Sequence, residues 1–264
     1  MLIDMRDAFF DAIYSCVEKD ENVIVLTADH GAFGLSRIQK AFLKQYIKVG
    51  IAEQNMISVA AGLAKCGKIV YVYSINNFIS LRSLEQVNID LCAMNLHVNL
   101  VGVGAGFTYS TDGPTHQGVQ DMQAMRVLPN MQIYNVTDHI NSKELALLGY
   151  KQNGPKYFRI EKGRLPMVYS EDDTFYSGFS LLEEPKETVV ISTGYMTHIA
   201  NSVSEVNEKI CVLDLYRIKP IDEKSLVNVL KTVKNIVVLE EGTSDGGLCE
   251  KISFIMAKNS IKCS

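Results

Sequence analysis

Short runs of β-branched and other apolar residues alternate, along almost the whole chain, with segments whose apolar residues recur at helical spacing. This alternation is typical of an open α/β fold, in which a mainly parallel sheet carries helices on both faces. The chain has 264 residues, of which 47% are hydrophobic, so it can form one large domain or two medium ones. We therefore predict an α/β protein with a well-filled core.

The predicted strands fall into two sets, separated by a stretch that contains Pro166, Pro185 and the acidic run Glu171–Asp173. This pattern predicts a first domain over residues 1–165, a linker over 166–186 and a smaller second domain over 187–264. The predicted strands are Val23–Thr27, Lys48–Gly50, Ile69–Tyr73, His97–Val103, Gln132–Tyr134, Tyr157–Ile160, Thr188–Ser192, Ile210–Leu215 and Asn235–Leu239. The predicted helices are Met5–Lys19, Glu53–Cys66, Leu81–Met94, Ser142–Gln152, Thr197–Glu208, Glu223–Val233 and one near Gly247–Lys258.

Charge and cysteine usage exclude several classes of protein. The net charge is −4 and there is no block of Lys and Arg, which argues against a nucleic-acid partner. No apolar run reaches membrane-spanning length, and charged residues interrupt the first ten positions, so neither a membrane span nor a signal peptide is expected. The six cysteines form no C-x-x-C pair and the histidines show no metal-binding spacing. We expect a cytoplasmic protein with no metal site of its own.

The stretch Val49–Met56 places one acid, Glu53, where a strand gives way to a helix. An acid in a first helical turn is commonly structural, because the positive end of the helix dipole stabilises it. A functional role needs further residues at the same place.

Polar, turn-forming residues lie just beyond the carboxyl ends of several predicted strands, which is where open α/β sheets bind ligands. These segments are residues 28–31, 74–78 and 104–118, and Glu53 follows the second strand. The longest segment ends in Asp112-Gly113-Pro114-Thr115-His116-Gln117. It places a carboxylate and an imidazole four residues apart across a rigid Gly-Pro turn, so both side chains can point into one pocket.

Three motifs together resemble the transketolase family. They are G-I-A-E-Q-N-M at residues 50–56, N-F at 77–78 with L-E-Q at 84–86, and D-G-P-T-H-Q at 112–117. Further likeness at residues 213–221 and 239–242 extends the resemblance over nearly the whole chain. More narrowly, the chain is similar to the C-terminal subunit of split transketolases, which carries a pyrimidine-binding domain of the thiamine-diphosphate-binding fold and then a short transketolase C-terminal domain.

This resemblance implies that thiamine diphosphate is the cofactor and that Glu53 hydrogen-bonds its aminopyrimidine ring nitrogen. Phe78 matches an aromatic residue that packs on the pyrimidine face, and Ile51 and Gln54 flank Glu53 in the same motif. His116 matches a histidine close to the cofactor amino group and the donor carbonyl. Glu53 and His116 are therefore the expected catalytic residues.

The same resemblance implies a substrate site. Asp112 matches an aspartate that contacts the C2 hydroxyl of the donor, and Arg6 lies where transketolases place an arginine for the sugar phosphate. His30 follows the first strand and is expected to reach the substrate. Two family residues are missing, because a phosphate-binding arginine falls at Asn135 and a histidine falls at Gly104. These departures favour a modified or unphosphorylated sugar.

The chain contains no G-D-G followed by the Asn that would hold a diphosphate and its metal. The resemblance therefore implies an N-terminal partner subunit that provides most of the ligands to the Mg²⁺ or Ca²⁺. The two kinds of subunit would form an α2β2 assembly, which transfers a two-carbon ketol unit from a ketose to an aldehyde. Alternatives are the β subunit of a 2-oxoacid dehydrogenase E1, a synthase of the deoxyxylulose-phosphate type, or a non-catalytic regulatory subunit. Asp112 disfavours the E1 subunit, because a 2-oxoacid has no hydroxyl for it to bind.

Overall fold

The computed structural model describes residues 3–29 and 31–262, which form two sheets with helices packed against them. The strands are β1 Val23–Thr27, β2 Tyr46–Lys48, β3 Ile69–Ile75, β4 Val98–Val103, β5 Gln132–Asn135, β6 Lys156–Ile160, β7 Ser180–Leu181, β8 Thr188–Ser192, β9 Ile210–Asp214, β10 Arg217–Lys219 and β11 Asn235–Leu239. The α-helices are α1 Met5–Lys19, α2 Phe33–Ala41, α3 Glu53–Lys65, α4 Asn76–Ile79, α5 Leu84–Gln86, α6 Asp121–Arg126, α7 His139–Lys151, α8 Tyr195–Ser204, α9 Glu223–Leu230 and α10 Leu248–Lys258. Helix α5 continues as a π-helix over Val87–Cys92, and Ser110–Asp112 form a 3₁₀ turn.

The larger sheet has seven strands in the order β10-β5-β6-β4-β3-β1-β2, and all pairs are parallel except β10 with β5. Strands β1, β4 and β6 are buried over their full length, which explains the apolar sequence of β1, although β6 carries the buried charges of Lys156 and Arg159. The chain runs from β1 outward to β2 and then returns to β3 on the other side of β1. This reversal creates a crevice at the carboxyl ends of β1 and β3, a place where such sheets bind ligands.

Helices cover both faces of the larger sheet, as the strand–helix alternation predicts. One core lies under α1, α2 and α7 and includes Phe9, Leu35 and Leu145. The other lies under α3 and the π-helix and continues without a break into the smaller sheet, where it includes Ile191 and Leu213. The predicted parallel sheet between two helical layers is therefore confirmed.

The smaller sheet has four strands in the order β11-β8-β9-β7, with β7 antiparallel to β9. Its three predicted strands are present, and the chain also forms two short strands that the sequence did not predict. Strand β7 lies in the predicted linker, and β10, from the C-terminal half, pairs with β5 of the larger sheet. The domain limits 1–165 and 187–264 remain a prediction.

Helix starts show where local sequence signals succeed. Asp222, the residue before the helix predicted over Glu223–Val233, accepts a hydrogen bond from Ser225 N at 3.1 Å and caps α9. The prediction that α7 starts at Ser142 is wrong, because Asp138 accepts from Asn141 N at 2.8 Å and caps the helix one turn earlier. Ser142 is buried and donates to Met5 O instead. Within residues 3–29 and 31–262, no helix is both long and apolar enough to cross a lipid bilayer.

Candidate active site

Glu53 is the first residue of α3 and is almost completely buried, with 2% of its side chain exposed. The chain reaches it through Gly50, whose φ of +89° favours glycine. Oε2 of Glu53 accepts a hydrogen bond from Arg82 Nη1 at 3.0 Å, whereas Oε1 is buried and has no partner among the described residues. Buried carboxylate oxygens are normally hydrogen-bonded, so this oxygen marks a place where a donor is missing.

Phe78 lies in α4, directly after β3. Its ring contacts both Arg82, which is the partner of Glu53, and His116. The guanidinium carbon of Arg82 is 3.8 Å from the centroid of the Phe78 ring. The ring of His116 meets Phe78 edge to face, with 5.1 Å between the ring centroids. The structure therefore brings Glu53, Phe78 and His116 to one edge of the sheet, linked through Arg82.

The imidazole of His116 is half-buried and contacts two further groups. Its Nδ1 lies 2.9 Å from Thr115 Oγ1, and the Tyr109 ring lies 6.1 Å away between centroids. The hydrogen bond at Nδ1 leaves Nε2 as the ring nitrogen that can exchange a proton or a hydrogen bond with a ligand.

Asn77 fixes the loop that carries His116. Its buried amide nitrogen donates to the carbonyl oxygens of Pro114, Thr115 and Gln117, at 3.1, 3.3 and 2.9 Å. Because Asn77 and Phe78 are consecutive, one short segment holds the loop by its backbone and packs against the His116 ring. The N-F pair in the sequence is thus a support for the loop as well as an aromatic contact.

Two of the candidate substrate residues, Arg6 and Asp112, lie close enough to Tyr109 for their charges to act on it. Asp112 ends the 3₁₀ turn and is exposed, and Arg6 makes a two-point ion pair with Asp4 at 3.1 and 3.2 Å. Burial raises the pKa of the Tyr109 hydroxyl, the positive charge of Arg6 lowers it, and Asp112 raises it further. Arg6 and Asp112 therefore act on the same side chain, which itself lies beside His116.

Neighbouring residues pack closely at both positions where a family residue is missing, Gly104 and Asn135. A Cβ at Gly104, whose φ is +98°, would lie 2.4 Å from the Tyr109 ring. Asn135 is buried against the start of α8, where a Cβ at Gly194 would lie 2.5 Å from its amide nitrogen. Neither place has room for the family's histidine or arginine side chain without rearrangement.

The other candidate residues lie on the surface or outside the described part of the chain. Ile51 is 74% exposed and Gln54 is exposed, so both lie on the surface beside Glu53. His30 falls outside the described residues. Among the residues that the structure describes, no cluster of three or more His, Cys, Asp or Glu side chains is arranged to hold a metal ion.

Sequence reasoning missed two residues at this edge. Arg82 follows Phe78 by four residues, but residues 80–83 form a turn between α4 and α5, so no helical spacing pointed to this pair. Glu161 follows β6, and burial raises the pKa of its carboxyl to about 7, with a hydrogen bond from Thr108 lowering it and the charge of Glu241 raising it. Glu241 comes from the C-terminal half, so no local pattern reveals this pair.

Two protein families match consecutive parts of the chain. The transketolase pyrimidine-binding domain matches residues 2–167, and the transketolase C-terminal domain matches residues 179–263. Among characterised relatives, the chain is 31% identical to the 6-deoxy-6-sulfo-D-fructose transketolase subunit of Clostridium sp. (strain MSTE9), covering 97% of this chain and 81% of that one. It is 29% identical to a subunit of the apulose-4-phosphate transketolase of Phocaeicola vulgatus, covering 98% and 86%.

A solved structure described as a split-gene transketolase, in an inactive β4 tetramer, superposes with a TM-score of 0.89 at 30% identity, covering 98% of this chain and 86% of that one. The 1-deoxy-D-xylulose-5-phosphate synthase of Pseudoalteromonas atlantica is also 30% identical, but this chain spans only 37% of it. The synthase is thus a partial match. The chain belongs to the transketolase family and corresponds to the C-terminal subunit of its split, thiamine-diphosphate-dependent members, which transfer ketol groups.

Proposed function

We propose that this chain supplies the aminopyrimidine end of a thiamine diphosphate site in a two-chain transketolase, and that Glu53 is the residue that activates the cofactor. The observation that carries the proposal is the Oε1 oxygen of Glu53, which is buried and has no donor within residues 3–29 and 31–262. A protonated ring nitrogen is such a donor, and the Phe78 ring lies beside it to pack on a planar heterocycle. These residues fit that end of the cofactor.

The remaining candidate residues each contact a different group of the substrate. When bound, thiamine diphosphate supplies an electron sink for the two-carbon fragment. His116, through Nε2, exchanges protons and hydrogen bonds with the donor oxygens, and His30 assists it. Asp112 accepts a hydrogen bond from a donor hydroxyl, and Arg6 attracts an anionic group. Glu53 stays on the cofactor and does not touch the sugar.

The partner subunit binds the diphosphate and its Mg²⁺ or Ca²⁺, in an α2β2 assembly. Two features support this division: the chain lacks G-D-G, and the split-gene chain with the same fold is described as inactive when it forms a tetramer of β chains alone. The cytoplasmic location predicted from the cysteine pattern also remains a prediction.

The substrate we propose is a modified sugar. Its support is the packing of Gly104 and Asn135, which leaves no room for two family side chains, and the names of two relatives, which act on a sulfofructose and on apulose 4-phosphate.

The test is Glu53→Gln in the chain reconstituted with its partner, assayed for ketol transfer. Loss of a positioned acid lowers rates by roughly 10²- to 10⁴-fold. A rate near that of the wild type would overturn the role of Glu53, and tight binding of thiamine diphosphate with turnover by the isolated chain would overturn the two-chain assembly. Asp112→Ala tests the donor: an unchanged preference between hydroxylated and 2-oxoacid donors would remove its role.

A further inference from the structure

The carboxyl of Glu53 is closed to ligands in this structure. Its Oε1 atom has less than 1 Å² of accessible surface, yet it contacts no hydrogen-bond donor among the described residues. A ligand can reach that oxygen only if a neighbouring side chain moves. The side chain that contacts the carboxyl is therefore the one that has to move.

Arg82 is the cover. It contacts Glu53 Oε2 through Nη1 at 3.0 Å, and its side chain is 45% exposed whereas that of Glu53 is 2% exposed. Arg82 is thus the solvent-accessible member of the pair. Because its guanidinium is half-exposed, it can turn into water, which then supplies the acceptor that it loses at Glu53.

The guanidinium of Arg82 makes the same two contacts that the proposed function gives to the aminopyrimidine ring. It is planar, it donates an N–H to Glu53, and it lies over the Phe78 ring with 3.8 Å from its carbon to the ring centroid. A planar cation paired with the acid and stacked on the aromatic ring imitates a planar, protonated heterocycle.

We propose that Arg82 is an internal competitor of the cofactor: it occupies Glu53 and Phe78 in the cofactor-free chain and leaves them when the aminopyrimidine enters. The inference rests on the proposed function, because that function makes Glu53 and Phe78 the ring contacts. An arginine that only held Glu53 in position would instead stay on Oε2 when the ring binds.

The two roles predict opposite signs for one measurement. If Arg82 competes with the cofactor, Arg82→Ala lowers the Kd of the reconstituted enzyme for thiamine diphosphate with Mg²⁺, measured by isothermal titration calorimetry. We expect a decrease of about fivefold to tenfold, the size of a half-exposed ion pair and a cation–π contact that no longer compete. A Kd that is unchanged or higher overturns the proposal.

Arg82→Lys keeps the charge but loses the planar stack, and we expect its Kd to lie between those of the wild type and Arg82→Ala. Arg82→Gln is the second neutral variant, used if Arg82→Ala does not fold. The matched control is Arg37→Ala. Arg37 also pairs with an acid, Asp11, and lies over an aromatic ring, Tyr14, with 47% of its side chain exposed, and its Kd should equal that of the wild type.

Glu53→Gln separates the failure of this inference from failure of the proposed function. If Glu53→Gln binds the cofactor and transfers ketol units as the wild type does, the proposed function is wrong. If Glu53→Gln is impaired while the Arg82 variants do not tighten binding, only the competition is wrong.

Discussion

Two buried carboxylates, Glu53 and Asp214, differ in how their oxygens are satisfied. Asp214 follows Leu213 at the end of β9, and its Oδ2 accepts from Thr137 Oγ1 and from Tyr169 OH, both at 2.6 Å, while Oδ1 accepts from Thr197 Oγ1 at 2.9 Å. Glu53 has one partner, which is half-exposed, and one oxygen with none among the described residues. A fully satisfied buried acid stabilises a fold, whereas one that lacks a donor is prepared for a ligand.

Asp121 shows that an unsatisfied oxygen alone does not distinguish the two kinds of site. Its Oδ1 also has no partner among the described residues, but its Oδ2 binds Arg159 Nε at 2.8 Å, and that arginine is 3% exposed. Arg159 is locked in the core and cannot turn into water, unlike Arg82. The exposure of the partner therefore separates a ligand site from a structural ion pair.

The sharpest test of this comparison separates activity from stability at Glu53. We expect Glu53→Gln to lower kcat of the reconstituted enzyme by at least roughly 100-fold, while the free energy of unfolding of the chain changes by no more than about 1 kcal/mol. Urea unfolding of the isolated chain gives the second number. A large loss of stability would place Glu53 with the structural acids.

The reverse is expected at Asp214. Asp214→Ala leaves three buried hydroxyl groups without their acceptor, so the free energy of unfolding should fall by about 2–3 kcal/mol. The protein that remains folded should keep its kcat, because the hydrogen-bond partners of Asp214 include none of the candidate site residues. A kcat that falls with unchanged stability would contradict the comparison.

Asn77 supports the site without belonging to it. Asn77→Ala removes the donor to three loop carbonyls, and we expect ketol transfer to slow by about tenfold, the effect of one or two lost hydrogen bonds on the placement of His116. The control is Asn99→Ala, a buried asparagine whose side-chain atoms make no hydrogen bond within the described residues. Equal losses in the two variants would mean that Asn77 acts through general packing.

The smallest effect concerns pH. Burial raises the pKa of the Asp214 carboxyl to about 6, although the hydrogen bonds from its three hydroxyl donors lower it. A carboxyl with a raised pKa contributes stability that is full below its unfolded value, near 4, and is lost as the pH rises through about 6. The stability of the wild type relative to Asp214→Asn should therefore decline between pH 4 and pH 7. A constant difference would show that the carboxyl keeps an ordinary pKa.

Much of the fold was predictable because its signals are local. Runs such as Val23–Thr27 and Thr188–Ser192 are rich in β-branched apolar residues, and the structure has strands with these same limits. Strands β7 and β10 were not predictable, because two or three residues carry no periodicity and their pairing partners lie far away in sequence. In the site, Glu53, Phe78 and His116 were found through motifs, whereas Arg82 emerged only from its contacts.

The sequence by itself determined the alternating α/β fold, the family, and the acid, aromatic ring and imidazole at the ends of its strands, because these depend on short patterns. Only the tertiary structure decided how they are satisfied: that one oxygen of Glu53 has no donor among the described residues, that Arg82 pairs with the other oxygen, and that Tyr109 and Gly194 pack against two family positions. Hydrogen-bond satisfaction and packing depend on residues brought together from distant parts of the chain, and no local pattern encodes them.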